Sequence, residues 1–356
     1  MAERDPQQDP VPPLLGLSEA ALTALAVECG EPSFRGRQLA HWLYSRRVTD
    51  PRQMSNLPAA FRERLAARPA PALPRLAQVV PTADGARKLL FALPDGLAVE
   101  GVLLPGRPGE LTLCVSSQVG CPFDCLFCRT GAMGLQRNLT TAEILGQLLA
   151  AQPEVPADHR ITRLVFMGMG EPLANPEALH PALHCLLGPR GLGFGPRRIT
   201  VSTAGFPGRI RTLHAATGVR IAVSLGGCSE EQRAALMPRA ARRCSLAELL
   251  AECRSLELRG PEHVTCELVL IAGVDDGDQD ARNLVRLTHG LRCKINLIPL
   301  NEGARDDLRR PSDERLRRFQ QILVAAGRPT SIRRSLGSEQ LAACGQLATA
   351  ARPPAD

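Results

Sequence analysis

The amino-acid sequence predicts an α/β fold, an incomplete parallel (β/α)6 barrel preceded by a small helical module and a short β-rich connector. Two observations carry this. Between residues 111 and 301 short apolar runs alternate with helical stretches, a pattern that pairs strands in parallel through βαβ units. Polar or reactive residues (Cys121, Glu171, Ser202, Ser224 and Asn301) fall at the ends of those runs, and parallel α/β folds collect their reactive groups at the carboxyl ends of strands.

In chain order, residues 1–13 are polar and broken by proline, which predicts a disordered arm. Residues 14–70 read as a helical accessory domain. Ser18 suits an N-cap before Glu19, Gly30 suits the stop, a second helix follows from Phe34 to Tyr44, and a third covers 61–67. This domain holds the only Trp and Tyr, Trp42 and Tyr44, whose plain role is core packing. Residues 71–110 form the β-rich connector, with strands at 88–93 and 97–104 and turns at Asp84-Gly85 and Asp95-Gly96.

The core at 111–301 has strands at 111–115, 161–167, 199–203, 219–225, 264–271 and 293–300. Thr140 and Glu143 make a capping box for a helix reaching about Gln152, and further helices are expected at 175–187, 207–216, 229–236, 245–258 and 278–290. Residues 302–348 are an Arg-rich C-terminal extension, running from Arg305 to Arg334 and ending around Cys344, with a tail at 349–356.

The chain has 356 residues, enough for a full core, and its 12 cysteines are spread along it. With no apolar signal segment at the start, the thiols are expected to be reduced and the protein cytoplasmic. No apolar run approaches the roughly 20 residues a bilayer span needs, so no membrane role is expected. The formal charge is +7 and the basic residues are nearly all Arg, with Lys only at 88 and 294. Guanidinium groups fork onto phosphate and stack on bases, but a proteome-wide drift toward Arg gives the same composition.

Cys121, Cys125 and Cys128 have C-x-x-x-C-x-x-C spacing. Three thiolates ligate three irons of a four-iron cluster and leave the fourth iron open for a chelating substrate. Zinc sites use four ligands in paired clusters, and no second pair lies nearby. Three unconnected core cysteines are the other bland reading.

This arrangement resembles the radical S-adenosylmethionine (SAM) superfamily. With Cys114-Val-Ser-Ser-Gln-Val-Gly-Cys121, Arg137-Asn-Leu-Thr, Gly168-Met-Gly-Glu-Pro, Lys294 through Asn301 and Ala343-Cys344-Gly-Gln-Leu in order, residues 14–348 resemble the RlmN/Cfr family of radical SAM RNA methyltransferases. The likeness is nearest to the branch that methylates carbon 2 of an adenine in 23S rRNA and in tRNA. It implies a radical SAM barrel with a 4Fe-4S cluster on Cys121, Cys125 and Cys128. SAM would be held by Gly170, Glu171, Ser202, Ser224, Leu225, Gly226 and Asn301.

It further implies that Cys344 carries the methyl group, that Cys114 resolves the protein–RNA adduct through a transient disulfide, and that Glu100 accepts the ring proton. Read alone, Glu100 would be a solvated strand carboxylate. An external electron donor such as flavodoxin or ferredoxin and a monomeric enzyme are also implied.

Two departures stand out. The family's Ser-Leu-His-Ala is Ser224-Leu225-Gly226-Gly227 here, and its Met-Pro-Asn is Met237-Pro238-Arg239. The same cysteines would also serve carbon 8 of the adenine, and Gly226 leaves a catalytically impaired RNA-binding paralogue as a rival from another class. A glycyl-radical activase would need neither Cys114 nor Cys344.

Overall fold

A computed structural model describes residues 13–70, 73–188, 191–301, 303, 305–333 and 335–348. All but Pro13 of the expected arm at 1–13, the tail at 349–356 and Arg334 lie outside the described residues.

Three helical segments open the chain: Glu19–Glu28, Phe34–Ala40 continuing as a π-helical turn to Ser45, and Ala59–Ala66. Ser18 caps the first through the Ala21 amide, as its sequence predicts. Tyr44 is the hinge pin of this module. Its hydroxyl donates to Leu17 O at 2.6 Å and accepts from the Gly16 amide at 3.1 Å, while Cys185 on the barrel helix Pro176–Leu187 lies 3.3 Å away.

The connector is an antiparallel meander of β1 (Arg75–Pro81), β2 (Arg87–Ala92) and β3 (Ala98–Pro105), turning at Gly85 and Gly96. β3 pairs antiparallel with β4 (Glu110–Cys114), which also begins the barrel. Between β4 and the helix Thr141–Ala151 lie two short strands, β5 (Gln118–Gly120) and β6 (Leu135–Asn138), paired with each other. The helix opens on the expected capping box of Thr140 and Glu143.

The barrel strands follow as β7 (Arg160–Phe166), β8 (Ile199–Thr203), β9 (Arg220–Ser224), β10 (Val264–Leu270), β11 (Cys293–Pro299) and β12 (Thr330–Ile332). Among the described residues one sheet runs β1-β2-β3-β4-β7-β8-β9-β10-β11-β12, parallel from β4 to β12. The expected six parallel strands are there, and β12 adds a seventh that the sequence pattern had not marked. Its three residues are too few to show a period, and pairing with β11 defines it. The meander extends the β4 edge, so the barrel stays incomplete. No helix among the described residues is long and apolar enough to cross a membrane.

Candidate active site

The three-cysteine loop is the long loop of the β5–β6 hairpin. At its neck Gly120 has φ +76°, and a Cβ there would overlap the Gly134 carbonyl, so only glycine fits. The flanking polar residues anchor this hairpin to the barrel. Ser116 Oγ donates to Glu100 O at 2.6 Å, Gln147 pairs with both backbone groups of Ser116 at 2.8 and 2.9 Å, and Gln118 Oε1 accepts the Glu171 amide at 2.7 Å.

This frame turns Cys121, Cys125 and Cys128 into a cavity whose other walls include Gly170, Glu171, Ser202, Ser224, Asn301 and Cys344. Burial pushes all three thiols up, with mutual repulsion adding to it at Cys121 and Cys125. Neutral thiols are poor ligands, and a bound cation reverses that balance by releasing their protons. Among the described residues no three His, Cys, Asp or Glu side chains converge on the position of a single metal ion. A four-iron cluster does not ask for that, because each thiolate meets a different iron. The donor set therefore fits a cluster.

Glu171 is buried, and burial raises its carboxyl to about 7. Its Oε1 accepts the Leu173 amide at 3.1 Å and its Oε2 the Ala204 amide at 2.8 Å, and a hydrogen bond from the Thr203 side chain also favours the carboxylate. Beneath the strand ends sits Arg233, fully buried, which donates to Ser224 O, Leu225 O, Ala204 O and Cys244 O. It ties β8 to β9, and nothing in its helical context Glu-Glu-Gln-Arg separates it from an exposed arginine.

Cys344 reaches the cavity because the cluster loop clamps its segment. The Arg129 amide donates to Gly345 O at 2.8 Å, Thr130 Oγ1 to Leu347 O at 2.6 Å, and Asn301 Nδ2 to Cys344 O at 3.0 Å. Behind it lies a second, smaller cavity lined by Cys114, Val102, Val165, Leu336 and Ala343, with Cys344, Arg333, Met167, Ile298 and Leu347 shared by both. Cys344 thus stands in a common wall, and Cys114 faces it from β4. Burial pushes the Cys114 thiol up to about 12, Cys344 adds to that, and Arg333 opposes it.

Glu100 lines neither cavity. It is buried and not the solvated strand carboxylate its sequence context suggests. Lys88 Nζ sits 2.8 Å from Oε1, and the Ala348 amide donates to Oε2 at 2.9 Å. Burial raises its pKa and Lys88 is the largest opposing influence. Leu225 and Gly226 also stand outside both linings; Gly226 has φ +72°, and the place its side chain would take is filled by Met237, itself a wall of the large cavity. Lys88 and Arg333 carry no motif; Lys88 meets Glu100 across the β2–β3 hairpin, while Arg333 meets Met167 and Glu267 from far along the chain.

The expected Arg-rich surface is partly neutralised. Arg305 pairs with Asp307, Arg310 with Asp313, and Arg315 and Arg318 both with Asp278. Six of the remaining cysteines (185, 228, 244, 253, 266 and 293) are buried, in keeping with packing.

Residues 13–69 match the family of the ribosomal RNA large subunit methyltransferase N-terminal domain, and residues 115–285 match the radical SAM superfamily. The chain is 42% identical over 331 residues to the dual-specificity RNA methyltransferase RlmN of Syntrophotalea carbinolica, covering 92% of this chain and 86% of the relative. It is 41% identical to the RlmN of Anaeromyxobacter dehalogenans, over 98% of this chain and 95% of that one. Its fold matches the crystal structure of a radical SAM methyltransferase from Sphaerobacter thermophilus with a TM-score of 0.87 at 42% identity, over 94% of this chain and 98% of that chain. The chain therefore belongs to the RlmN family, RNA methyltransferases of the radical SAM superfamily that use a 4Fe-4S cluster and S-adenosylmethionine.

Proposed function

We propose that this enzyme methylates carbon 2 of an adenine in 23S rRNA, and in tRNA, through a methyl group carried on Cys344. The observation that supports it is the position of Cys344 in the wall between two cavities, one with the three-cysteine loop and one with Cys114. A side chain that must meet a radical source on one side and a second thiol on the other belongs in such a wall.

Carbon 2 lies between two ring nitrogens and is electron-poor, so polar methylation of it is disfavoured and addition of a carbon radical is the open route. Cys121, Cys125 and Cys128 would hold the cluster, which with SAM would supply one-electron chemistry, both to start a radical and to accept the electron that the adduct gives up. Glu171 receives the methionine ammonium, and Gly170, Ser202, Ser224 and Asn301 line the rest of that pocket. Leu225 and Gly226 contribute by shaping the end of β9.

The Cys344 sulfur accepts the methyl group as a thiolate and later carries it as a methylene radical that joins the base. Glu100 takes the ring proton, and Lys88 keeps it ionised for that task. Cys114 then attacks the Cys344 sulfur to release the product. The adenine must leave its stack to be reached, and arginines neutralise the surrounding phosphates.

Purification with cellular RNA, followed by a denaturing gel with and without ribonuclease, tests the division of roles. Cys114→Ala is expected to run as a ribonuclease-sensitive covalent complex, and Cys344→Ala as free protein. A complex that persists in the Cys114→Ala/Cys344→Ala double variant would remove Cys344 as the carrier.

A further inference from the structure

The resolving step raises an electrostatic difficulty that the two cysteines do not answer. Thiol–disulfide chemistry needs a thiolate. Burial pushes the Cys114 thiol up to about 12 even with Arg333 opposing it, so the thiolate is a small minority near neutral pH and would be scarcer still without that charge. Its strand neighbours give no help, since Val102 on β3 and Val165 on β7 are its pairing partners. Among the described residues, the charged or titratable groups that act on it are Cys344, from the C-terminal segment, and Arg333, at the end of β12. Among the described residues lining the small cavity, Arg333 is the one that carries a charge.

Its placement is fixed rather than casual. The Arg333 amide continues the β11–β12 pairing by donating to Leu297 O at 2.8 Å. The side chain then crosses between the cavities, with Nη1 3.8 Å from Met167 Sδ and 3.8 Å from Glu267 Oε2. Glu267 is buried, Asn296 Nδ2 donates to its Oε1 at 3.0 Å, and its Oε2 accepts no hydrogen bond among the described residues, with Arg333 the larger and Lys294 the lesser of the cations that favour its charge. At 3.8 Å this contact holds Arg333 in place without a hydrogen bond that would spend its donors. A guanidinium stays charged where an ammonium would lose its proton to burial.

We propose that Arg333 is a positioning residue for the resolving step, stabilising the Cys114 thiolate as it attacks the Cys344 sulfur. This rests on the reading in which Cys344 carries the methylene. In the step, a bond forms between the Cys114 and Cys344 sulfurs and the bond from the Cys344 sulfur to the methylene carbon breaks. The electron pair of that bond goes to the carbon, which takes up a proton and becomes the methyl group. The two sulfurs are oxidised to a disulfide and the carbon is reduced, so no further oxidant or reductant enters.

The experiment follows decay of the covalent complex in the full-length holoenzyme by quenched denaturing gels across pH 6.5–9.5. Arg333→Gln is expected to form the complex but to resolve it at least about tenfold more slowly at pH 7.5, with the rate climbing about tenfold per pH unit as the thiol ionises. Arg333→Lys should recover part of the rate. Glu267→Gln, which removes the opposing carboxylate, should move the profile to lower pH, and it reads the same electrostatics if Arg333→Gln fails to hold iron.

Decay in Arg333→Gln at the parental rate and with the parental profile overturns the proposal. So does a variant with methylated Cys344 by mass spectrometry and no complex, which would place Arg333 before the addition. If Arg333→Gln holds no iron, an unmoved profile in Glu267→Gln overturns it. Failure of Cys114→Ala to accumulate any complex instead removes the underlying reading of Cys344.

Discussion

The two cavities that meet at Cys344 are assembled from different kinds of sequence. The larger is made mostly by one continuous loop and by the ends of successive parallel strands that their own local pattern announces, and it is closed by Met237, Arg333 and the Cys344 segment. The smaller is made where the antiparallel connector, the first barrel strand and the last described segment come together, with Ala348 reaching Glu100 and Gly337 reaching Asp84 across most of the chain. The first arrangement places a cofactor by topology. The second places Cys114 and Cys344 by tertiary contacts, and it is accordingly the one that a single hydrogen bond or charge can disturb.

The largest expected effect falls on the cofactor side alone. Replacing Cys121, Cys125 and Cys128 together by Ala should abolish iron binding, because these are the thiols that the β5–β6 loop turns into the cavity. Cys114→Ala should keep a full complement of iron when both are purified anaerobically. Iron and the brown chromophore surviving in the triple variant would break the distinction between the two cavities at its root.

The next effect falls on the side built by long-range contacts. Glu100 is buried, which favours its neutral form, and the Lys88 ammonium 2.8 Å away is the strongest influence keeping it ionised. Lys88→Met removes that charge, so the carboxyl pKa rises further and the base is protonated over a wider acidic range. Activity should then be lost as pH falls from neutral and recovered as pH rises, with the acidic limb displaced upward relative to the parent. The loss at low pH is bounded by what general-base catalysis contributes, on the order of 10²–10⁴. A pH–rate profile unchanged in Lys88→Met would leave Glu100 as a structural partner of the C-terminal segment.

The same contrast explains what could be read from the sequence. The six barrel strands, the capping box at Thr140 and the placement of Glu171, Ser202, Ser224 and Asn301 follow from period and spacing, which act over a few residues. Cys114 and Cys344 were found through their resemblance to a family, since no local rule links two cysteines 230 positions apart. Lys88, Arg233 and Arg333 escaped because their value comes from partners the chain delivers only on folding. Arg233 sits on a short helix whose context reads as solvated. β5 and β6 escaped because three- and four-residue strands leave no alternation to detect, and it is their pairing that carries the cysteine loop.

The smallest effect concerns Gly226, which stands where the family resemblance implies a histidine. The residue sits at φ +72°, and Met237 fills the space above it while also lining the large cavity. Gly226→Ala should cost about 1–2 kcal/mol for the left-handed backbone. It should also drive the flexible Met237 thioether toward the cofactor. The expected outcome is a melting temperature lower by a few degrees and SAM binding weakened by roughly three- to tenfold, given that one displaced side chain is worth about 1 kcal/mol. Adding Met237→Ala should return the SAM affinity and leave the backbone cost in place, because the truncated side chain has nothing to push inward. Decay of the covalent complex should stay at the parental rate in both variants, since Met237 is no part of the small cavity. Equal SAM affinity in Gly226→Ala and the parent would show that Met237 relaxes away from the cofactor, and a slowed decay would show that the two cavities are coupled through this wall.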